Sequence, residues 1–356
     1  MMDGRWTRSM DVDLDVNNLA NDGLGIDRGS VPGFYSGKTI FVTGATGFVG
    51  KVLIEKLLRS CPDIGVIYIL IRPKKSQNIE ERKQELMKCK RKLQAIEGDI
   101  VLPELGLSEK NKQLLIEKIN VVFHSAATLS CLQYLSYTNL HVSTAYANCD
   151  RPYIEESIYE PQLLGNKPNT YTFTKQLAEA MLKTEGAGLP IAVVRPSIVG
   201  AAWKEPVQGW IDNSNGPSGL CIAAGKGLLR SMKGDFKAVA DIIPVDIPVN
   251  MMITVAWYTA CFKPKQTLVY NCTTGAVNPI TWGDLRKYNL FSSSNSLNVK
   301  SSIVYPQFLV YNKLHRSMES LSYFTSHSWE WTNGNHDLLK SRLSEVDRKV
   351  NIFLII

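Results

Sequence analysis

The stretch Thr39-Ile40-Phe41-Val42-Thr43-Gly44-Ala45-Thr46-Gly47-Phe48-Val49-Gly50 constrains the fold more than any other part of the chain. A β-branched, apolar run passes into three glycines and then into Lys51-Val52-Leu53-Ile54-Glu55-Lys56-Leu57-Leu58. The run has the composition of a buried parallel strand, and positions 49, 52, 53 and 57 then share one helical face. Strand, glycine turn and helix together set a helix N-terminus where a pyrophosphate can sit. Gly44 permits the tight turn, Gly47 lets backbone approach phosphate, and Gly50 lets the helix close on the strand. Thr46, Phe48 and Val49 complete the cofactor-contacting turn. The spacing is G-x-x-G-x-x-G rather than G-x-G-x-x-G, and a glycine turn by itself occurs in many α/β proteins. Here the flanking strand and helix supply the context that dinucleotide binding requires.

With 356 residues, 44% of them hydrophobic and 21% charged, the chain has material for one large α/β domain plus an appendage. The net charge of +7 is densest between Arg72 and Lys92, where nine basic residues face three glutamates. Such a run reads as a solvated helix face, or as a patch that favours phosphorylated cofactors or an anionic membrane surface. No basic and aromatic residues interleave as nucleic-acid binding would require. Seven scattered cysteines without a C-x-x-C pair argue for reduced thiols and against a zinc site. The N-terminus is acidic and polar, unlike a signal peptide, and no run is long enough to span a membrane. The uncharged stretch from Ile247 to Phe262 reads as a buried helix.

Residues 1–36 read as a flexible leader. After the glycine turn comes a strand from Val66 to Ile71 that ends at Arg72. A basic residue at this point suits the 2′-phosphate of NADPH, where an acidic one would hold the ribose of NADH. Leu93–Glu97 reads as a third strand running into Gly98-Asp99, with Asp99 a contact to adenine. A helix is expected from Ser108 to Ile119, then a strand over 120–127 whose small terminal residues, Ala126 among them, leave room for ligand. His124 reads as a structural histidine. The next strand, 140–144, arrives after only Thr128 to Asn139, at the lower limit for a parallel crossover. A helix over 169–183 and a strand over 191–196, ending in Arg195-Pro196, follow. Beyond them the expectation is loop over 209–220, helix over 221–232, a late strand at 270–272 and a capped helix start at 281–284. The fold class is therefore α/β: a Rossmann-type, doubly wound parallel sheet with a smaller, mainly helical C-terminal region.

Tyr171 and Lys175 are four residues apart, so a helix presents both on one face. A phenol is a poor acid or base near neutrality, and an ammonium beside it favours the phenolate. The same lysine can hydrogen-bond a nicotinamide ribose. Ser143 or Thr144, adjacent on the preceding strand, would bind a substrate carbonyl oxygen. Alternation on a strand allows one of the two, with the lean toward Thr144. Tyr-x-x-x-Lys is a cheap pattern, but this is its one occurrence in the chain and its position fits. It follows a strand ending in Ser-Thr, precedes one ending in Arg-Pro, and lies downstream of the glycine turn.

The glycine spacing is that of the extended short-chain dehydrogenase/reductases. Gly37 to Pro73, HVSTAYANCDRPYIEE (141–156), PNTYTFTKQLAEAML (168–182) and VVRPSIVG through GKGLLRSM (193–232) resemble alcohol-forming fatty acyl-CoA reductases. The stretch MESLSYFTSHSWEW through LSEVDRKV resembles their C-terminal male-sterility-type domain. The resemblance implies a leader (1–36), an NADPH-binding reductase domain (37–262), a linker or shortened hydrophobic region (263–317) and that C-terminal domain (318–356). It implies reduction of a long-chain acyl-CoA, through an aldehyde, to a primary fatty alcohol with two NADPH and release of CoA. Gly44, Thr46, Gly47, Phe48, Val49, Gly50, Arg72, Asp99, Ala126, Arg195 and Pro196 would line the cofactor site. Tyr171, Lys175, Thr144 and Ser143 would carry the chemistry, and Tyr171 and Lys175 would also touch the cofactor. It further implies an intracellular, membrane-associated enzyme on the cytosolic face of peroxisomes or endoplasmic reticulum, in fatty alcohol and wax synthesis.

The chain departs from the family's pattern in four places. It is shorter between Glu85 and Leu93, between the strands near 120–127 and 140–144, between Glu160 and Asn166, and between Tyr288 and Leu314. The second gap removes the crossover helix with an asparagine of the catalytic set. Two further readings follow: a non-catalytic isoform that binds NADPH, and another extended reductase acting on a sterol or sugar nucleotide.

Overall fold

A computed structural model of the chain describes residues 29–72, 92–126, 138–161, 167–213, 215–226, 229, 232–287 and 307–349. The basic run after Arg72, the crossover after Ala126 and the Ser/Asn-rich stretch 289–302 lie outside these residues.

Seven parallel strands form the central sheet. In chain order they are β1 (Ile40–Thr43), β2 (Ile67–Ile71), β3 (Leu93–Glu97), β4 (Val121–His124), β5 (Thr138–Val142), β7 (Ile191–Pro196) and β10 (Leu268–Cys272). Their order across the sheet is β10-β7-β5-β4-β1-β2-β3. The chain therefore winds outward from β1 to β3, returns to the other side of β1, and winds out again to β10. The reversal lies between β1 and β4, which pair in register from Ile40↔Val121 to Thr43↔His124. In such sheets the crevice at the carboxyl ends of the two strands flanking the reversal takes the ligand.

Continuous β-branched runs make these strands because both faces of the sheet are covered. On one face Ile40, Val42, Ile67, Leu140 and Val194 meet α2 (Phe48–Ser60) and α6 (Asp246–Phe262). On the other, Phe41, Tyr68 and Val122 meet α3 (Glu109–Lys118) through Leu115, while Ile191, Val193 and Val269 meet Leu182 of α4 (Thr170–Glu185). Fourteen consecutive residues of α6, Asp246 to Thr259, are buried. Sheet, α2, the short helix α1 (Val31–Tyr35) and α8 (Gly334–Arg342) surround it, so a helix apolar all round has no solvent face to supply. No helix of the described residues is long and apolar enough to cross a membrane.

Four sequence expectations change. Residues 31–35 are not leader: Val31 and Tyr35 are fully buried, and the Tyr35 hydroxyl donates to the Ile253 carbonyl at 2.8 Å. The strand expected at 140–144 runs from 138 to 142, because the Thr144 side chain caps the 3₁₀ turn Ala145–Asn148 that follows. Helix α5 (Pro217–Gly225) begins in the expected loop, with Pro217 at its first position where a missing N–H costs nothing. The region expected as linker contributes β10, which extends the late strand expected at 270–272 and completes the sheet beside β7 in register from Leu268↔Ala192 to Cys272↔Pro196.

The C-terminal stretch is bound to the reductase body rather than set apart. After α7 (Gln307–Ser326), strand β11 (Glu330–Trp331) pairs with β6 (Tyr153–Ile154), and Leu339 of α8 joins the core beneath β10. A further parallel pair, β8 (Ile198–Gly200) with β9 (Ile242–Pro244), continues outward from the end of β7.

Candidate active site

The glycine turn sits at the reversal crevice. Gly44 has φ +72°, and a Cβ there would lie 2.8 Å from the Ser125 carbonyl carbon and oxygen at the end of β4. That is a left-handed backbone with no space for a side chain. A Cβ on Gly50 would lie 2.3 Å from the Gly44 carbonyl oxygen, so the first turn of α2 is pressed onto the strand it follows. Gly47 is the N-cap of α2 and offers no side-chain acceptor to the first-turn N–H groups. These donors, with the positive end of the helix dipole, suit a phosphate group. The residues present therefore fit a dinucleotide: a cradle that a Cβ would fill, at an uncapped helix N-terminus.

At the far end of the crevice, Arg72 follows β2 with its side chain 60% exposed, and its Nη1 lies 4.0 Å from Oδ2 of Asp99. Asp99 follows β3, and its Oδ1 accepts from the Val101 N–H at 3.0 Å. The basic and acidic residues expected at the adenosine end thus stand side by side.

Tyr171 and Lys175 reach the crevice from the first turns of α4. Asn169 caps that helix, its Oδ1 accepting from the Thr172 N–H at 2.9 Å, which sets where the first turn begins. Lys175 is buried, and its Nζ donates to the carbonyls of Val142 at 2.8 Å and Ala126 at 3.5 Å. One ammonium thereby joins the carboxyl ends of β5 and β4. Burial lowers the Lys175 pKa to about 8, and Glu179 one turn on pulls the other way. Half of the Tyr171 surface is exposed. Desolvation still raises its phenol pKa, while a hydrogen bond with the Thr144 side chain lowers it. The net direction is opposite to the phenolate stabilisation expected from the lysine, because desolvation of the phenol is the largest effect on it.

The strand end gives Ser143 and Thr144 different surroundings. Thr144 is the one at the phenol, and its Oγ1 also accepts from the Tyr146 N–H at 3.3 Å and faces the Pro196 carbonyl at 3.5 Å. The Ser143 hydroxyl and that of Ser197, one residue past Pro196, are buried without a hydrogen-bond partner among the described residues. Orphaned hydroxyls at strand ends are acceptors and donors open to a ligand. Ser197 is a candidate that sequence reading missed, since a serine after a strand carries no distinguishing signal.

Arg195 is not available to a cofactor. Its guanidinium is fully buried, paired with both oxygens of Glu179 at 2.6 and 2.9 Å, and donates to the Glu155 and Ser157 carbonyls. Fully desolvated, the charge could persist nowhere else than against a carboxylate. His124 is structural as expected, with its Nδ1 2.8 Å from the Thr43 hydroxyl. Asn271-Cys272-Thr273 has the pattern of a glycosylation acceptor, but the Asn271 side chain is buried and donates to the Ile154 and Thr332 carbonyls.

Residues 42–140 and 134–252 match the NAD-binding family described as male sterility protein, in two pieces that meet at the shortened crossover. Fatty acyl-CoA reductase 1 of Xenopus laevis is 41% identical over 418 positions, covering 90% of this chain and 81% of the relative. The corresponding Gallus gallus protein is 42% identical at the same coverage, and fatty acyl-CoA reductase 2 of Bos taurus 36%. The chain belongs to the fatty acyl-CoA reductase family. Nine-tenths of its length is about 320 residues against 418 aligned positions, so the family pattern is interrupted by gaps in this chain. The fold also resembles the terminal reductase domain of the myxalamid biosynthetic pathway, with TM-score 0.61, 20% identity and 85% of each chain covered. A nonribosomal peptide synthetase reductase domain from Mycobacterium tuberculosis gives TM-score 0.59 at 16% identity, covering 86% of this chain and 84% of that one. Family and fold make this fatty acyl-CoA reductase family member an oxidoreductase with a nicotinamide cofactor site.

Proposed function

We propose that the protein reduces a long-chain fatty acyl-CoA to the primary alcohol with NADPH, releasing CoA. The carrying observation is that Thr144, Tyr171 and Lys175 converge at the carboxyl ends of β4 and β5, beside the glycine turn. The nicotinamide cofactor supplies hydride when bound. The α2 N-terminus would hold its pyrophosphate and Arg72 its 2′-phosphate, which is the basis for preferring NADPH over NADH.

The chain's own groups perform the rest. The Thr144 hydroxyl and Tyr171 phenol hydrogen-bond the thioester carbonyl oxygen and stabilise the negative charge that develops on it. Collapse of that oxyanion expels CoA thiolate and leaves an aldehyde. In the second reduction Tyr171 donates its proton to the aldehyde oxygen, giving the alcohol. A phenol raised by burial stays protonated at neutral pH and so serves as acid rather than base. Lys175, tied to two carbonyls, would reach the cofactor ribose with its remaining N–H. Family resemblance supports a membrane-associated setting on the cytosolic face of an organelle, which cell fractionation tests.

The deciding experiment is NADPH consumption with palmitoyl-CoA and product analysis, on this chain and on Tyr171→Phe. Hexadecanol from the first and none from the second is the expected result. NADPH binding without any product from the unsubstituted chain would overturn it and leave the non-catalytic reading.

A further inference from the structure

The turn that carries Thr144 is too short to satisfy its own backbone. Of the carbonyls from 144 to 149, three are met by backbone N–H groups three residues on: Thr144 by Ala147 at 3.1 Å, Tyr146 by Cys149 at 3.3 Å, and Asn148 by Arg151 at 3.3 Å. The other three are met by side chains from distant parts of the chain. The Trp331 indole N–H donates to Ala145 at 3.2 Å, and the Lys167 ammonium to Ala147 at 3.0 Å. Cys149 receives both the Trp329 indole N–H at 2.9 Å and the Tyr323 hydroxyl at 3.0 Å, which fills both lone pairs. The Tyr146 ring, in the middle of the turn, is met edge-on by Phe324, Trp329 and Trp331 at 5.3 to 5.8 Å. Pairing of β11 with β6 fixes the segment that delivers the two tryptophans.

We propose that Tyr323, Trp329 and Trp331 are positioning residues for the reduction: their donors lock the turn 145–149 and thereby hold the Thr144 hydroxyl at the Tyr171 phenol. An apolar core would need the rings but not three polar donors converging on two carbonyls of one turn. All three residues lie outside the stretch matched by the NAD-binding family, so the C-terminal segment completes the site from beyond it. The inference rests on the reductase reading of Thr144 and Tyr171.

The test uses Trp331→Phe, Trp329→Phe and the milder Tyr323→Phe, each keeping a ring and losing one donor. Trp282→Phe, in a separate cluster around Ala238 and Ala240, is the control for general loss of packing. With palmitoyl-CoA and NADPH, the three clamp variants should lose roughly tenfold or more in kcat with KM unchanged. Trp282→Phe should keep its kcat per folded molecule. A second readout needs no turnover: difluorotyrosine installed at position 171, its fluorine resonance following phenol ionisation with pH. Displacing the Thr144 hydroxyl should raise that midpoint by about half a pH unit or more. Midpoints and kcat equal to the unsubstituted chain, or shifted as much in Trp282→Phe, would overturn the proposal. A shifted midpoint in a chain that makes no alcohol would leave the clamp standing and defeat the reductase reading. Should the tryptophan variants fail to fold, Tyr323→Phe decides by the same two readouts.

Discussion

Arg195 and Glu179 form a two-point ion pair, Nη2 to Oε2 at 2.6 Å and Nε to Oε1 at 2.9 Å, with neither side chain open to solvent. The pair fastens α4, which carries Tyr171 and Lys175, to the last residues of β7. Removing one partner leaves an uncompensated buried charge, so Glu179→Ala should cost about 3–5 kcal/mol of stability by denaturant unfolding. The double variant Glu179→Leu/Arg195→Met should be more stable than either single change. NADPH affinity per folded molecule should hold, which would confirm that Arg195 is structural.

Lys175 gives the protein a defined alkaline response. Its pKa falls from 10.5 to about 8 on folding because burial penalises the ammonium. Between about 8 and 10.5 the unfolded chain holds a proton that the folded chain has released, so this group makes stability rise with pH across that window. Reduction should run the other way, falling as pH passes through about 8 and the ammonium is lost. Lys175→Met should flatten the stability slope and abolish turnover, read by unfolding at several pH values and by product analysis.

The glycine cradle is testable by single methyl groups. Gly50→Ala places a Cβ 2.3 Å from the Gly44 carbonyl, and relief requires α2 to move off β1. A cost of about 1–3 kcal/mol is expected from overpacking, together with loss of dinucleotide binding by calorimetry. An alanine at Gly188, whose Cβ would meet nothing within 4 Å, should retain binding despite its φ of +83°.

Arg72→Ala should weaken NADPH selectively. Loss of one charged hydrogen bond is worth about 1.5–3 kcal/mol, or roughly tenfold to a hundredfold in affinity. NADH binding, which brings no 2′-phosphate, should change little. Equal losses for the two nucleotides would remove Arg72 from the proposed contact.

Glu156 couples the C-terminal segment to pH. Its carboxylate accepts from the Asn271 N–H at 3.1 Å and the Asn335 N–H at 2.6 Å, yet burial outweighs both and raises its pKa from 4.5 to about 7. Across that window the folded chain binds the extra proton, so this group makes stability fall as pH rises from 4.5 through about 7. Glu156→Gln should remove that slope in unfolding measured as a function of pH.

Local patterns disclosed most of the sheet. β3 and β7 end where composition says they should, and the glycine turn, Tyr171 and Lys175 meet at one crevice because βαβ winding brings successive strand ends together. What stayed hidden depends on partners far away in sequence. Arg195 reads as a cofactor contact until Glu179 is found against it. Tyr171 reads as a lysine-activated phenol until its own burial, which raises its pKa, is seen. The aromatic clamp had one legible signal, the alternation Trp329-Glu330-Trp331 of a short strand, but nothing in it names the 145–149 turn as its target.

The Asp347 carboxylate, at 3.3 and 3.4 Å, accepts from the Val31 N–H at the start of α1, 316 residues earlier. Together with β10 and the clamp, this makes late synthesis a condition of early structure. On the ribosome the glycine turn and β1 to β7 emerge with the outer strand β7, the first helix and the Thr144 turn still lacking partners. A nascent chain of this protein should therefore keep holdase chaperones engaged until its last helices leave the exit tunnel, with little native sheet protected before then.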